Sequence, residues 1–469
     1  MSRRQSYGRR RSGGGMMPKV LLAIVLTAGL VVGLRAAFRA GPAPDVAIET
    51  TSKAIGVRTP VTVRVTEPSR GLSSVKVEFV QGDRTETLVE KSYTPVSAWA
   101  FSGSPTGSET LRLTLGREVQ KNLKQQPATL RVTATRAPSF LRHPDPVVRE
   151  LTLPVRLTPP TLAVVSSFTY VSQGGCEAVV YRVGETSVKD GVAAGSWFFP
   201  GFPLPGGGPQ DRFALFAVPY DVSDVAQVKL IAQDDVGNSS TASMIDKFFP
   251  RPLHRDTIPL DDAFLAKVVP PILSQTPDLT DKGNLLENYL EINRALRKTN
   301  NAHLVELAKS SQPKFLWTHP FQAMGSTKVM AHFADRRSYV YRGSAVDQQD
   351  HLGLDMAGVS HAAIPAANDG VVVLAKFFGI YGNAVVVDHG YGLMSLYGHL
   401  SSIDVKEGQT VTRGQTLGRT GDTGLAGGDH LHFAILLQGL PVSPVEWWDP
   451  HWLTDRIARK LGRAFPYSG

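Results

Sequence analysis

Cysteine is nearly absent from this 469-residue chain, in which Cys176 is the single thiol. One thiol cannot form an intramolecular disulfide, and it excludes a zinc site built from cysteines. The chain also lacks a G-x-S-x-G nucleophile elbow and a G-x-x-x-x-G-K-S/T phosphate loop. These absences disfavour a serine hydrolase of that type and a nucleotide site. We expect Cys176, at the start of a strand-like run, to be packed and unreactive.

Positive charge is concentrated at one end of the chain. The formal net charge is +9, yet eight of the 50 lysines and arginines lie in the first 40 residues, where no acidic residue occurs. The remainder is therefore close to neutral. Because the excess charge belongs to a short leader, we expect no nucleic-acid partner.

The leader predicts export. A basic tail, residues 1–19, precedes an apolar segment, residues 20–38, whose uninterrupted core is residues 20–34. That core is short for a bilayer span, which needs roughly 20 apolar residues, and it suits a signal sequence or a short signal anchor. Since no clear A-x-A cleavage site follows, we favour a retained transmembrane anchor. The positive-inside rule then leaves the basic tail in the cytoplasm and exports the chain after about residue 40.

Strand patterning dominates the region up to residue 250. Apolar and polar residues alternate in residues 61–66 and in several later runs, with glycine, serine and proline turns between them. This pattern predicts half-buried antiparallel strands and, for residues 46–158, an Ig-like β-sandwich. A proline pair at positions 159 and 160 marks a boundary. Residues 160–250 are predicted to form a second β-rich, Ig-like module.

Helical patterning follows in residues 251–312, which are predicted to be a helical linker. A short helix is predicted for residues 261–269, and Pro270 and Pro271 should end it. A longer helix is predicted for residues 284–309, because one apolar stripe is formed by Leu285, Tyr289, Ile292 and Leu296.

Histidines and one aspartate are clustered further along the chain. The motifs H-L-G-L-D, Y-G-H-L and H-L-H-F occur in that order and supply His351, Asp355, His399, His430 and His432. Zinc is bound by imidazole nitrogens and carboxylate oxygens, and a catalytic zinc site keeps three protein ligands and one open position. Five such groups predict a hydrolytic zinc site with two groups left for proton transfer.

The spacing of these residues agrees with one shared centre. His430 and His432 lie in residues 430–437, which are predicted to be a buried strand, and side chains at i and i+2 of a strand point to the same face. His351 and Asp355 flank Gly353, which favours a bend over a helix.

The three motifs together resemble the lysostaphin-type, LytM-like zinc endopeptidases of peptidase family M23. The resemblance implies an antiparallel-β peptidase domain over residues 313–455. It implies one Zn2+ per chain, bound by His351, Asp355 and His432. It also implies that His430 is the general base, that His399 binds the oxyanion or orients the water, and that Asn383 contacts substrate. The predicted fold is therefore mainly β, with an anchor, two Ig-like modules, a helical segment and this peptidase domain.

The resemblance also implies a function. Family members cut peptide cross-links of bacterial peptidoglycan, so we expect a membrane-anchored zinc metalloendopeptidase acting on stem peptides. It would cross the cytoplasmic (inner) membrane once, with most of the chain in the periplasm. The bond remains open: D-alanine to diaminopimelate, a glycine bridge or another linkage. The β modules are hypothesised to contact cell-wall or division proteins, and residues 251–312 to occlude the active-site groove.

Two other functions fit parts of the sequence. LytM-like regulators activate a separate cell-wall amidase without catalysis of their own, but they typically lack the zinc ligands, and here the set is complete. A scaffold or adhesion protein would use the β modules alone. Bound zinc and release of wall fragments distinguish the three.

Overall fold

The computed structural model describes residues 16–100, 102–252 and 254–469, so most of the basic tail lies outside the described residues. The chain forms two compact units. One comprises the described residues up to Thr158 together with Asp235–Asn238, and the other comprises Pro159–Asp234 and Ser239–Gly469. The prediction of a mainly β chain with an N-terminal apolar helix and a C-terminal antiparallel domain is confirmed.

The N-terminal helix α1 spans Met16–Phe38. Within it, Met17–Phe38 has a mean hydropathy of 2.3 and is long and apolar enough to cross a membrane. Its 22 residues rise about 33 Å, close to the thickness of a bilayer's hydrocarbon core. Residues 17–31 are exposed. The helix therefore has the properties of a membrane anchor or of a signal sequence.

The rest of the first unit is built from two sheets that share one core. The sheets have the orders β1-β2-β5 and β4-β3-β6-β7. Val63 from one sheet and Val77 from the other are fully buried in the same apolar cluster, as the sandwich prediction requires. The strands are β1 Asp45–Glu49, β2 Thr59–Thr66, β3 Leu72–Gln81, β4 Arg84–Ser92, β5 Ser108–Leu115, β6 Ala128–Arg136 and β7 Val147–Leu153.

The second unit begins with a further β module. Its main sheets have the orders β13-β14-β10-β8 and β12-β11-β15-β16, and β17 pairs with β9. The strands are β8 Leu162–Val164, β9 Tyr170–Ser172, β10 Cys176–Val183, β11 Ser187–Ala194, β12 Trp197–Pro200, β13 Phe202–Pro203, β14 Asp211–Ala217, β15 Val228–Asp234, β16 Ser239–Ala242 and β17 Lys247–Phe249. Phe213 of this module packs on Phe315 and Tyr391, with ring centroids 5.8 and 5.0 Å away. The module and the C-terminal domain thus share one apolar core.

The segment predicted as a helical linker also contains a strand. It comprises β18 Arg255–Leu260 and the helices α2 Asp262–Ser274, α3 Leu285–Glu291 and α4 Arg297–Lys309, with a π-helical turn, Ile292–Leu296, joining the last two. Tyr289 and Ile292 are buried against Tyr339 and Ile380 of the C-terminal domain. This apolar contact makes the segment one wall of that domain.

Helix α2 does not end where the sequence predicted. It continues through Pro270 and Pro271 to Ser274. Each proline lacks the N–H that would bond to the carbonyl four residues earlier, here those of Ala266 and Lys267. Both of those residues and both prolines are exposed, so water can hydrate the freed carbonyls. Buried Leu265, Val268, Val269 and Ile272 hold the other face of the helix against the core.

The C-terminal domain is built on one large antiparallel sheet. The order is β19-β22-β30-β26-β25-β24-β28, with β31 paired to β30; smaller sheets have the orders β18-β20-β21 and β23-β29-β27. All residues of the central strand β30 are buried. The strands are β19 Lys328–Ala331, β20 Asp335–Tyr341, β21 Ser344–His351, β22 Leu354–Ala357, β23 Ala363–Pro365, β24 Gly370–Phe377, β25 Asn383–Gly390, β26 Leu393–Leu400, β27 Ser402–Ile403, β28 Thr410–Val411, β29 Thr416–Arg419, β30 Leu431–Leu437 and β31 Leu440–Val442. Short helices close the chain: α5 Pro444–Trp448, α6 Pro450–Leu453 and α7 Arg459–Leu461.

Candidate active site

Neighbouring strands bring three of the predicted site residues together. Asp355 of β22 lies directly opposite His432 of β30, and Gly398 of β26 lies opposite His432 on the other side. His351 is the last residue of β21, and the chain turns at once into β22. The spacing of four residues between His351 and Asp355 is therefore a turn between two strands, as the intervening glycine predicted.

The ligand atoms of these residues form a small triangle. His351 Nε2 lies 2.9 Å from Asp355 Oδ1 and 3.1 Å from His432 Nδ1, and the third side is 3.0 Å. Electron-pair donors at these distances repel one another unless a cation or a proton lies between them. Tetrahedral zinc, with bonds of about 2.0–2.2 Å, places its ligand atoms about 3.3–3.6 Å apart. The donor set therefore fits a single zinc ion.

A hydrogen bond on the far side of the ring fixes which nitrogen of His351 faces the triangle. Its Nδ1 donates to the carbonyl oxygen of His332 at 2.9 Å, which leaves a lone pair on Nε2. The His332 backbone N–H in turn donates to Asp335 Oδ2 at 2.7 Å. The orientation of this ligand is thus built into the backbone at the start of β20.

An arginine that the sequence did not single out holds the aspartate. Arg337 donates from a terminal guanidinium nitrogen to Asp355 Oδ2 at 2.9 Å, which leaves Oδ1 in the triangle. Burial alone would raise the pKa of Asp355, but His351 and the neighbouring imidazoles outweigh it and hold that pKa well below its usual value. Burial by itself would lower the pKa of Arg337. The Asp355 carboxylate outweighs burial and raises that pKa above its usual value. Both groups stay charged.

The two remaining histidines lie beside the triangle. The ring centroids of His399 and His430 are 4.8 Å apart, and His430 Nε2 lies 3.6 Å from Asp355 Oδ1. His399 Nδ1 bonds to the Thr423 carbonyl at 2.7 Å, and His430 Nδ1 bonds to the Gly428 carbonyl at 2.8 Å. A carbonyl only accepts, so both Nδ1 atoms carry the proton. Each neutral imidazole therefore presents the lone pair of its Nε2.

The surroundings of His399 and His430 shift their pKa values in opposite directions. Burial, followed by the charges of His430 and His432, lowers the pKa of His399 well below its usual value. Burial also opposes protonation of His430, but the Asp355 carboxylate outweighs it and raises the pKa of His430. His430 is therefore the more basic of the pair. His399 also has a φ of 68°, a left-handed conformation that is uncommon for a residue with a side chain and clusters at functional sites.

Gly353 is required by a close approach. A Cβ at this position would lie 2.6 Å from Cε1 and Nε2 of His432 and 2.9 Å from the carbonyl oxygen of Phe433. Only a residue without a side chain lets the turn between β21 and β22 pass this close to the His432 ring. The glycine in the H-L-G-L-D motif is thus needed for the His432 ring to occupy its place in the triangle.

Asn383 lies near the site but has a different contact. Its side-chain amide donates to the Leu400 carbonyl at 3.1 Å, and its backbone N–H donates to Thr423 Oγ1 at 2.9 Å. These bonds join β25 to the residue after His399 and to the loop that orients His399. Asn383 does not line the cavity that contains the other five residues.

A cavity of about 300 Å³ contains the triangle and both catalytic candidates. One wall belongs to the C-terminal domain and includes Arg337, Tyr339, Ile380, Tyr381, Leu425 and Gly427. The opposite wall belongs to the segment before that domain and includes Ile258, Pro259, Phe264, Tyr289, Asn293 and Arg297. From the sequence, this second wall was predicted only as a possible cover of the active-site groove. Its residues lie far from the site residues along the chain, so local patterns do not reveal the contact.

Comparisons with known proteins agree with this site. Residues 349–444 match the model of peptidase family M23. Among curated relatives, the peptidoglycan DD-endopeptidase ShyA of Vibrio cholerae is 42% identical over 96 residues, which is 20% of this chain and 22% of that protein. The DD-carboxypeptidase/endopeptidase Mpg of Neisseria meningitidis is 40% identical over 95 residues, 20% of this chain and 22% of that protein. The murein hydrolase activator EnvC of Escherichia coli is 39% identical over 95 residues, 20% of this chain and 23% of that protein.

The family match lies within the C-terminal domain. The chain spans less than a quarter of the length of each of these relatives. The matched stretch contains His351, Asp355, His399, His430 and His432. The chain therefore carries a peptidase M23 domain near its C-terminal end.

Proposed function

We propose that this protein is a zinc metalloendopeptidase that hydrolyses peptide cross-links of bacterial peptidoglycan. One observation carries the proposal: His351, Asp355 and His432 converge to within 3.1 Å beside two imidazoles with free Nε2 lone pairs. Three ligands with proton-transferring groups alongside are what metal-assisted amide hydrolysis requires. The relative ShyA is named a peptidoglycan DD-endopeptidase, and the relative Mpg is named a DD-carboxypeptidase/endopeptidase.

The chain's own residues then have separable roles. His351, Asp355 and His432 hold one Zn2+ per chain, which, when bound, supplies Lewis-acid polarisation of the amide carbonyl and makes water nucleophilic near neutral pH. His430 accepts the proton of the attacking water at Nε2 and delivers it to the leaving amine. His399, neutral at Nε2, orients that water by accepting its hydrogen bond.

His399 can stabilise an oxyanion only when it is protonated at Nε2. The bond from Nδ1 to the Thr423 carbonyl and the lowered pKa both favour the neutral form. Of the two roles that the sequence left open, the geometry supports orientation of the water. Asn383 supports His399 through Leu400, and its proposed substrate contact would require it to leave that bond.

The location follows from helix α1. As a retained anchor it would hold the enzyme at the cytoplasmic membrane, with the peptidase domain facing peptidoglycan in the periplasm. The β modules would position that domain and provide surfaces for cell-wall or division proteins.

The test uses the full chain in detergent on purified peptidoglycan, with products identified by mass spectrometry. We expect un-cross-linked stem peptides from the wild type, and none from His351→Ala. His361→Ala is a matched control, because that imidazole is exposed and bonds to Ser401 outside the triangle. Equal product from wild type and His351→Ala would contradict the proposal.

The likeness to EnvC supports a second candidate, activation of a separate amidase. The complete ligand triangle disfavours it, because activation alone needs no metal. Zinc-bound protein that leaves peptidoglycan intact but accelerates an added cell-wall amidase would establish it.

A further inference from the structure

Arg297 has a position that the proposed chemistry does not explain. It follows the π-helical turn Ile292–Leu296 and lines the same cavity as the metal triangle. Single π-helical turns inside longer helices occur frequently at functional sites. This turn places a guanidinium from a segment outside the matched family domain on the active-site wall.

The guanidinium is oriented but carries no ion pair. Its Nε donates to the Asn293 carbonyl at 3.1 Å, and one terminal nitrogen donates to Asn293 Oδ1 at 2.5 Å. Asn293 is fully buried, and its amide nitrogen donates to Asp347 Oδ2 at 2.8 Å. Among the described residues, no carboxylate lies within ion-pair distance of Arg297. A chain of hydrogen bonds therefore fixes this side chain while leaving its charge unpaired.

Arg297 is also close to the chemistry. Burial raises the pKa of Tyr381, and the nearby charge of Arg297 opposes that rise. The Tyr381 ring in turn lies 5.6 Å from the ring of His432. Arg297, Tyr381 and the candidate metal ligand His432 line the same cavity, so a substrate bound there can contact the guanidinium.

The charged side chains that line the cavity favour the binding of an anion. Among its described lining residues, Asp355 is the one carboxylate, and Arg337 already neutralises it. Apolar and aromatic side chains, including those of Phe264, Tyr289 and Leu425, also line the cavity. A guanidinium in such surroundings binds a planar carboxylate through paired hydrogen bonds more strongly than it binds a neutral group.

We propose that Arg297 is a specificity-determining residue that binds a free carboxylate next to the scissile amide. This inference rests on the proposed function and deepens it. Diaminopimelate carries such a carboxylate on the carbon whose amine is acylated in the cross-link, whereas a lysine or glycine bridge has none there. Arg297 therefore selects cross-links from D-alanine to diaminopimelate among the linkages that the sequence left open.

The experiment compares two synthetic cross-linked dimers that differ only in that carboxylate, which is free in one and a carboxamide in the other. A hydrogen bond to a charged group contributes about 1.5–3 kcal/mol, which corresponds to about a 10- to 150-fold effect. We expect the full-length wild type to prefer the free carboxylate by at least about tenfold in kcat/KM. Arg297→Gln should lose that preference, mainly through KM, while its zinc content and its activity on the carboxamide dimer stay within about threefold.

Two further variants complete the design. Arg297→Lys keeps the charge but not the planar fork, so it should restore part of the preference, and it serves if the glutamine variant does not fold. Lys298→Gln removes the same charge from the adjacent, exposed position and should leave the preference unchanged.

Each other outcome has a definite meaning. Equal cleavage of both dimers by the wild type, or an equal loss on both in Arg297→Gln, would overturn the role of Arg297 and leave the proposed function intact. A rise on both dimers would show that Arg297 restrains the site, and would overturn it as well. Cleavage of neither dimer by zinc-bound wild type would overturn the proposed function and, with it, this inference.

Discussion

Adding a single methyl group at position 353 should disrupt the metal site. In Gly353→Ala the new Cβ would lie 2.6 Å from Cε1 and Nε2 of His432, whereas ordinary contacts between such atoms are about 3.5–4.0 Å. The imidazole must therefore shift by about 1 Å, because the other nearby atom, the Phe433 carbonyl oxygen at 2.9 Å, belongs to the central strand. Metal-ligand bonds tolerate only about 0.2 Å.

The expected result is a loss of zinc with a smaller loss of stability. Disturbing a group that merely orients a ligand costs about 10- to 100-fold in affinity, so displacing the ligand His432 should cost at least about 100-fold. Overpacking should lower the free energy of unfolding by about 1–3 kcal/mol. Chelator competition measures the zinc affinity, and urea unfolding measures the stability.

A second glycine provides the control. Gly427 lines the same cavity, but a Cβ there would meet nothing within 4 Å. Gly427→Ala should keep its zinc affinity within about threefold. If Gly353→Ala also bound zinc as the wild type does, the close approach to His432 would not be what positions this ligand.

Three other predictions follow from single contacts. His430→Ala should keep zinc and lower kcat by about 10²- to 10⁴-fold, and full turnover would refute the general-base role. The pKa of Glu446 is raised to about 8, first by burial. Its proton is therefore held more tightly in the folded state, and stability falls as pH rises from about 4.5 through about 8. Glu446→Gln, which keeps an acceptor for the Cys176 N–H, should flatten that fall in urea unfolding at pH 5 and pH 9; a parallel fall would contradict the assignment. Lys460→Met should cost about 3–5 kcal/mol, because it leaves Glu177, fully buried and 3.1 Å from Lys460 Nζ, without that partner. Unfolding at neutral pH measures the cost, and a double variant with Glu177→Leu should recover most of it.

Local spacing predicted the ligand group because the relevant geometry is local. Two residues along a strand share a face, so His432 of β30 and His430, which directly precedes β30, were expected to face the same side. A glycine between His351 and Asp355 indicated the turn that brings both to one point. The assignment of separate roles to these residues came from the family resemblance, and the geometry supports those roles without testing them.

The other contacts depend on long-range packing that periodicity does not encode. Arg337 reaches Asp355 only because β20 pairs with β21. No local pattern in the sequence distinguishes Arg337 from the other arginines of the chain. Arg297 reaches the cavity only because the preceding helices bury Tyr289 and Ile292 against the domain. The continuation of α2 through Pro270 was missed for the same reason, since tertiary burial of one face outweighed a local helix-ending signal.

We propose that one zinc ion in the triangle of His351, Asp355 and His432 drives peptide hydrolysis. The most direct measurement titrates zinc into metal-stripped, full-length protein while following cleavage of a cross-linked dimer. We expect activity to rise linearly and to stop rising at one equivalent of zinc per chain, and we expect His351→Ala to show neither tight binding nor activity. Cleavage that persists in the metal-stripped protein, or one tightly bound zinc without cleavage of any cross-linked dimer, would contradict it.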